Sequence, residues 1–191
     1  MDKISYFWIA LAIFLIIRKF FSERNPIPET SPKVHKITTP AELDTLLSST
    51  RLVLVDFYAD WCPPCRAIAP IFSALADGHA APGKLAFAKV NVDHIDTAVS
   101  GKYGVTAMPT FVVFRDGQPG GVAVEGLKIR GRSSVLVGEG GKVERIKGAD
   151  QEALVAVVRA LVEEGGDGAP ADRDAMVGLV KALAEEGKKG E

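Results

Sequence analysis

The sequence predicts an α/β fold in which a mixed central sheet carries helices on both faces. Three observations support this prediction. Residues 52–59, LVLVDFYA, form a nearly continuous apolar run, which is typical of a strand buried on both faces. Similar runs follow at 84–93 and 110–117. Segments with helical periodicity alternate with these runs, and that order builds a layered sheet-and-helix domain.

The remaining elements complete the order β-α-β-α-β-α-β-β-α. Thr39, Pro40 and Glu42 form a capping box with proline at the first helical position, so a helix should begin there. A longer helix should run from the cysteine motif to Ala76, with a kink at Pro70. The predicted strands are 34–38, 52–59, 84–93, 110–117 and 142–148, and the other predicted helices are 41–49, 96–104 and 150–164.

The composition excludes several classes of protein. The chain has 191 residues, of which 47% are hydrophobic and 25% charged, so it suits a globular core better than a disordered chain. A net charge of −1 at pH 7 implies no general attraction to nucleic acid. Two cysteines are too few for a disulfide-rich secreted scaffold.

Residues 1–24 are predicted to be a hydrophobic membrane anchor that contacts the bilayer through residues 4–21. The apolar run Ile4–Ile17 would span about 21 Å as a helix, and continuing to Phe21 gives about 27 Å, against about 30 Å of hydrocarbon. A cleaved signal peptide is disfavoured because no small-residue cleavage site follows the run. A mitochondrial presequence is disfavoured because the stretch is apolar all round and contains acidic residues.

The charges around this segment predict its orientation. Arg18, Lys19 and Arg24 outweigh the positive charge on the other side, so the positive-inside rule places the rest of the chain in the cytosol. A mitochondrial location and a secretory lumen remain alternatives. Residues 25–33, NPIPETSPK, are predicted to be a proline-rich linker.

The motif WCPPC at 61–65 contains both cysteines, and three interpretations of them compete. A zinc site is disfavoured because it needs four ligands and the three histidines lack the usual spacing, so we expect no metal. A structural staple is disfavoured because so short a loop constrains the unfolded chain little. A redox couple is favoured: Cys62 lies where a strand meets a helix N-terminus, which stabilises a thiolate. Cys65, three residues on, faces the same side and can attack a mixed disulfide.

Four motifs in order resemble the thioredoxin family: VDFYADWCPPC, AKVNVD, YGVTAMPTFVVF, and GAD followed by a helix. The resemblance covers roughly residues 34–117 and 142–164. It implies a thioredoxin fold over 34–164 and a protein-disulfide reductase that acts on client proteins. It also implies that no cofactor is bound, and that an NADPH-dependent thioredoxin reductase recharges the redox-active disulfide. A lumenal oxidase or isomerase of the same fold and a non-catalytic docking module are the alternatives.

The same resemblance implies roles for the reacting groups. Cys62 would be the nucleophile, Cys65 the resolving cysteine, and Asp56 the group that exchanges a proton with Cys65. Lys89 would lie near Asp56. From the pattern alone, Asp56 could also be a solvated residue of an edge strand and Lys89 an ordinary surface lysine.

The residues expected to contact a client surround the cysteines. A cis proline at 109 and a glycine at 148 would leave backbone groups open to a client peptide. The family more often has glycine where this chain has Pro63, and the change removes an amide donor, so we expect an altered redox poise. The predicted substrate-binding residues are Trp61, Pro63, Pro64, Met108, Pro109, Thr110 and Gly148.

Two segments depart from the family pattern. Residues 118–141 form a glycine-rich insertion between the third and fourth major strands after the first, expected to be a protruding hairpin or a disordered loop. It could be a flap that contacts clients or the membrane, or simply a tolerated insertion, which the low cost of long surface loops favours. Residues 165–191 are predicted to be a linker and a C-terminal amphipathic helix.

Overall fold

A computed structural model of the chain describes residues 8–9, 11–15, 26–29, 31–125, 132–165 and 178. The described strands are β1 (Val34–Ile37), β2 (Leu52–Tyr58), β3 (Leu85–Asn91), β4 (Thr110–Arg115), β5 (Gln118–Pro119), β6 (Val135–Val137) and β7 (Val143–Lys147). The helices are α1 (Pro40–Ser49), α2 (Pro63–His79), α3 (Thr97–Lys102) and α4 (Gln151–Gly165), with a 3-10 turn at Glu139–Gly141. Residues 8–9 and 11–15 are also helical.

The strands form one mixed sheet in the order β1-β3-β2-β4-β7-β6, with β5 paired to β4. Strands β1 and β2 run parallel to β3, whereas β4 is antiparallel to β2 and β7 is antiparallel to β4. Strand β2 therefore lies in the interior of the sheet, and all seven of its residues are buried. This arrangement confirms the predicted α/β fold class.

Local signals in the sequence start the two main helices. At α1, Thr39 Oγ1 accepts a hydrogen bond from the amide of Glu42, and the Glu42 carboxylate accepts one from the amide of Thr39, both at 3.3 Å. At α2, prolines occupy the first two helical positions, where the amides have no partner inside the helix. Pro70 lies inside α2, and the helix continues past the predicted end to His79.

The helices cover the two faces of the sheet with separate apolar cores. One core joins α2 and α4 to the face that carries Leu52 and Leu54. The other joins α1 to the opposite face, which carries Val53 and Val55. Alternate residues of β2 thus enter different cores, as the pleat of a strand requires, and Asp56 lies on the face of Leu54.

The insertion 118–141 is partly built into the sheet, which differs from the predicted hairpin or loop. β6 pairs with β7 along the sheet edge, and Val122 forms an isolated bridge with Val143. Val122 and Val135 are 1% and 8% exposed and belong to the core beneath α2 and α4. The physical reason is that the apolar patches of the insertion bury against β7. Residues 126–131 lie outside the described part of the chain.

The chain termini are described only in part. The predicted anchor at 4–21 is represented by residues 8–9 and 11–15, and among the described residues no helix is long and apolar enough to cross a bilayer. Of the predicted linker and helix at 165–191, residues 165 and 178 are described and the rest lie outside the described residues.

Replacing Val122 by alanine should destabilise the protein by about 2 kcal/mol, because two buried methyl groups are lost and a cavity remains. Urea unfolding of the full chain measures the change. Val137→Ala is the matched control: Val137 is also in the insertion but is 43% exposed, so its loss should cost less than about 0.5 kcal/mol. Equal effects of the two substitutions would show that the insertion is not part of the core.

Candidate active site

The two cysteines lie at the start of α2 and form a disulfide with a Cα–Cα separation of 5.3 Å. Cys62 is the N-cap residue, and its sulfur accepts a hydrogen bond from the amide of Cys65 at 3.2 Å. Cys62 is 3% exposed and Cys65 is 0% exposed. Attack by a client is therefore easier at the Cys62 sulfur, which also has the positive end of the helix dipole beside it.

Pro63 and Pro64 occupy the first two positions of the helix and have no amide hydrogen. The first amide after Cys62 that can donate to its sulfur is therefore that of Cys65. The Cys62 sulfur therefore receives its hydrogen bond from the amide of Cys65. The two prolines restrict the φ angles of the backbone between these residues.

Trp61 lies beside the disulfide and is 50% exposed. Its indole Nε1–H donates a hydrogen bond to Asp93 Oδ2 at 2.7 Å. The bond holds the ring in one orientation, so a flat apolar surface stands next to the cysteines at little cost in conformational entropy.

The loop before β4 closes the other side of the site. The Met108–Pro109 peptide bond is cis, and Met108 packs against the apolar cluster that contains both cysteines. The amide of Gly148 donates to the carbonyl of Pro109 at 2.7 Å. Gly148 has φ +80°, and a side chain there would meet no neighbour, so its backbone borders open space. Thr110 is buried, and its hydroxyl donates to the carbonyl of Ala107 at 2.7 Å.

Asp56 is buried in the interior strand β2 and is 4% exposed. Its Oδ1 accepts no hydrogen bond from the described residues. Burial raises the pKa of this carboxyl to about 8, and the positive charge of Lys89 counteracts part of that rise. An acid with this pKa can take up and release a proton near neutral pH.

Lys89 lies next to Asp56 on the neighbouring parallel strand, where the two residues are paired in register. Its side chain is 14% exposed, and its ammonium group lies 5.8 Å from the centre of the Tyr58 ring. It is thus largely enclosed and differs from an ordinary surface lysine. The structure likewise places Asp56 away from the sheet edge.

The described part of the predicted linker, residues 26–29 and 31–33, packs against this site and is therefore more than a spacer. Ile27 is 7% exposed and joins the apolar cluster of the two cysteines. Its amide donates to Asp60 Oδ1 at 2.9 Å, and the Ser31 hydroxyl donates to Asp77 Oδ1 at 2.6 Å. The apolar side chain of Ile27 explains the difference, because it finds a hydrophobic surface beside α2.

The segment also closes a narrow cavity beside the buried carboxyl. The cavity has a volume of about 20 Å³, which is room for roughly one water molecule. Residues from the segment, from β2 and from β3 line it: Ile27, Pro28, Asp56, Tyr58 and Lys89. Ala69 of α2 lines it too and packs against the cysteine cluster, so the cavity and the disulfide share a wall.

Sequence reasoning missed three acidic residues of the site. Asp60 accepts hydrogen bonds from the Ile27 amide and, at 2.8 Å, from the Asn91 side chain. Asp93 holds the Trp61 indole, and Glu29 pairs with Lys89 at 3.7 Å. Asp60 lies within the motif VDFYADWCPPC and Asp93 within AKVNVD. Their place in these motifs was the sign that could have identified them as site residues. Nothing in the sequence distinguishes Glu29.

Comparison with known proteins agrees with this geometry. Residues 34–133, just over half of the chain, match the thioredoxin family profile. The chain belongs to the thioredoxin family. A thioredoxin-like protein from Fusarium culmorum is 48% identical over 128 residues, covering 67% of this chain and 90% of that protein. A thioredoxin from Neurospora crassa is 47% identical over 96 residues, covering 50% of this chain and 73% of that protein.

Solved structures of thioredoxins align over more of the chain than the family profile does. The solution structure of oxidised thioredoxin from Plasmodium falciparum has a TM-score of 0.50 and 29% identity, covering 68% of this chain and 98% of that one. The chain is therefore a thiol-disulfide oxidoreductase of the thioredoxin type, with Cys62 and Cys65 as its redox-active pair. Among the described residues, no group of three or more His, Cys, Asp or Glu could hold a metal ion.

Replacing Asp56 by asparagine should stabilise the thioredoxin domain more at high pH than at low pH. The pKa of Asp56 rises from 3.8 in the unfolded chain to about 8 in the folded protein. The folded state therefore binds more protons over that interval, and wild-type stability falls as the pH rises through it. The difference between variant and wild type should grow to a few kcal/mol by about pH 8.

Urea unfolding of both proteins between about pH 5 and pH 9 tests this difference. Asp44→Asn, on the exposed side of α1, is the control and should follow the wild-type curve. Parallel stability curves for wild type and Asp56→Asn would contradict the raised pKa.

Proposed function

We propose that the chain reduces disulfide bonds in client proteins through a two-step exchange at Cys62 and Cys65. The observation that carries this proposal is the capped cysteine at the start of α2, with its partner cysteine fully buried one turn away. The two cysteines of such an arrangement have different roles. One sulfur can meet a client, and the other can be reached only from within the site.

In the first step, the Cys62 thiolate attacks one sulfur of a client disulfide. A bond forms between Cys62 and that sulfur, and the second client sulfur leaves as a thiolate. In the next step, the Cys65 thiolate attacks the Cys62 sulfur. The mixed disulfide breaks, the second client thiolate leaves, and the Cys62–Cys65 disulfide forms. The client gains two electrons and the pair loses two.

Asp56 provides the base for the second step. Cys65 is buried and would be a poor nucleophile as a thiol, since the thiolate is the attacking species. The carboxylate of Asp56 can take the proton of Cys65, because burial makes Asp56 basic enough to hold a proton near neutral pH. The narrow cavity that connects Asp56 with the wall of the cysteine cluster has room for one water to relay the proton. Lys89 stabilises the carboxylate form.

Clients would bind in an extended form along the loop of Pro109. The backbone of Gly148 borders open space, which leaves room for a client strand beside this loop. Trp61 contributes an exposed aromatic surface on the other side of the disulfide. Pro63, Pro64 and Met108 contribute to the same surface. Thr110 lies buried beneath it and supports the loop through its hydrogen bond to Ala107. After each cycle, an NADPH-dependent thioredoxin reductase would return the pair to the dithiol.

We also propose that residues 4–21 tether the domain to a membrane with the domain in the cytosol. The described helical residues of that stretch carry large apolar side chains that are half or more exposed: Trp8, Ile9, Ile13, Phe14 and Leu15 are 49% to 61% exposed. An exposed set of this size calls for an apolar environment. The basic residues at 18, 19 and 24 support the cytosolic orientation.

Cys62→Ser should abolish reduction of a disulfide-bonded client peptide by the full chain, because the remaining thiol, Cys65, is fully buried and cannot reach a client. Cys65→Ser should instead accumulate a covalent adduct between Cys62 and the client, because the mixed disulfide cannot be resolved. NADPH consumption with thioredoxin reductase measures turnover, and mass spectrometry of the intact protein detects the adduct.

The control is Asp44→Asn, a surface substitution on α1 that should leave turnover unchanged. The reduction potential provides a second measurement. A value near −270 mV fits a thioredoxin-type reductant, whereas a value between about −180 and −120 mV would contradict the proposal and favour an oxidase or isomerase.

The tether predicts that the full chain fractionates with membranes and resists extraction with alkaline carbonate, because its apolar segment is buried in lipid. A chain that starts at residue 25 should be released into the soluble fraction. Recovery of the full chain in the soluble fraction would refute the tether, and it would leave the exchange chemistry untouched.

A further inference from the structure

A row of charged residues crosses three strands on the face of the sheet that α2 covers. Lys36 of β1 pairs in register with Lys89 of β3, and Lys89 pairs in register with Asp56 of β2. Residues paired in this way point to the same face. Lys89 therefore lies between Asp56 on one side and Lys36 on the other.

Glu29 lies over the two lysines of this row. Its Oε1 is 2.9 Å from Lys36 Nζ and 3.7 Å from Lys89 Nζ. The hydrogen bond with Lys36, followed by the charge of Lys89, holds the pKa of Glu29 below its ordinary value. Glu29 is thus an anion that shares the positive charge of Lys89 with Asp56.

The backbone around Glu29 is fixed on both sides. Two residues earlier, Ile27 is buried in the cysteine cluster and its amide is bound by Asp60. Two residues later, the Ser31 hydroxyl is bound by Asp77, and Lys33 Nζ donates to the Asp77 carbonyl at 2.6 Å. The position of Glu29 is therefore set by contacts that do not depend on its own side chain.

We propose that Glu29 is a positioning residue: by pairing with Lys89 it limits the positive charge that Lys89 offers to Asp56, and so helps to decide when Asp56 takes up and releases the proton of Cys65. This role rests on the proton transfer proposed above. It gives the segment before the domain a part in the chemistry, through a residue, Glu29, that lies outside the range 34–133 that matches the family profile.

The sign of the effect follows from the charges. When Asp56 is ionised, the row with Glu29 contains two lysines and two carboxylates. Glu29 weakens the attraction of Lys89 for the Asp56 carboxylate and also repels that carboxylate directly, so both effects favour protonated Asp56. Because Glu29 is 56% exposed, solvent screens its charge and the effect is modest.

Other groups around Asp56 do not replace this control. Tyr58 stands on the same strand, and burial, followed by the charges of Asp60 and Asp56, raises its pKa to about 12, so it stays neutral. Asp60 is held by Asn91 and Ile27. The part of α2 that lines the cavity contributes only uncharged residues, Ala69, Phe72 and Ser73.

The test is the pKa of Asp56, measured from the ¹³C chemical shift of its carboxyl carbon in the oxidised full chain, in which neither cysteine titrates. Glu29→Gln should lower that pKa by about 0.3 to 0.5 pH unit, the order that Coulomb's law gives for one charge several ångströms away in a water-like medium. Lys36→Gln should raise the pKa of Asp56, because Glu29 then pairs with Lys89 alone and offsets more of the positive charge that Lys89 presents to Asp56. The lowering should shrink in about 1 M salt.

Three controls make the result decisive. Glu163→Gln changes the same charge in the last turn of α4 and should leave the pKa of Asp56 unchanged. Glu29→Asp keeps the charge and should restore most of the wild-type value. In a Lys89→Met background, Glu29→Gln should lower the pKa by clearly less than it does in the wild type.

The opposite signs separate this proposal from a structural role of the segment. Both Glu29→Gln and Lys36→Gln break the same ion pair, so loosening of the segment would shift the pKa of Asp56 in one common direction. A common direction, or no shift, would overturn the proposal. The measurement needs no turnover, so it stands even if the chain proves inactive towards clients. Unchanged pKa values in an active reductase would refute the role of Glu29 alone.

Discussion

A carboxyl group that is deprived of water in the interior of a sheet is the constraint on which the rest of this site depends. Asp56 occupies a position on β2 where the preceding residues of the same face are leucines of the core, and burial alone disfavours its charged form. The cost is tolerated because the group can remain protonated. That same property lets it exchange a proton near neutral pH, so the destabilising feature of the fold is also its chemically useful one.

The disulfide lies close to the cavity of this carboxyl, because Ala69 of α2 lines that cavity and packs against the cysteine cluster. Cys65 is fully buried because α2 begins immediately above β2, and the two prolines let the helix begin there without losing internal hydrogen bonds. In the first turn, the amide of Cys65 donates to the Cys62 sulfur. Cys62 and Cys65 therefore lie together at the start of α2 and belong to one apolar cluster.

Two segments extend the family framework, and both use apolar side chains to do so. Val122 and Val135 add the insertion to the edge of the sheet, and Ile27 attaches the N-terminal segment to the cysteine cluster. The insertion adds buried apolar side chains at the β7 edge of the sheet. The N-terminal segment brings a charged side chain, Glu29, within reach of Lys89. The sequence composition predicted a spacer and a loop for these two segments. In the structure the insertion is part of the domain, and the N-terminal segment is part of the surroundings of the site.

The sequence by itself determined the order of the strands and helices outside the insertion, the start of α1 at its capping box, the redox pair and the family. These depend on local signals: apolar periodicity, caps and motif spacing, each visible within a few residues. It could not determine that Ile27 is buried, that Asp93 holds Trp61, or that Glu29 shares a lysine with Asp56. Those contacts join residues that are 32 or more positions apart in the chain. Only the tertiary structure decided them, because a single apolar or acidic side chain carries no local sign of the partner that long-range packing will bring to it.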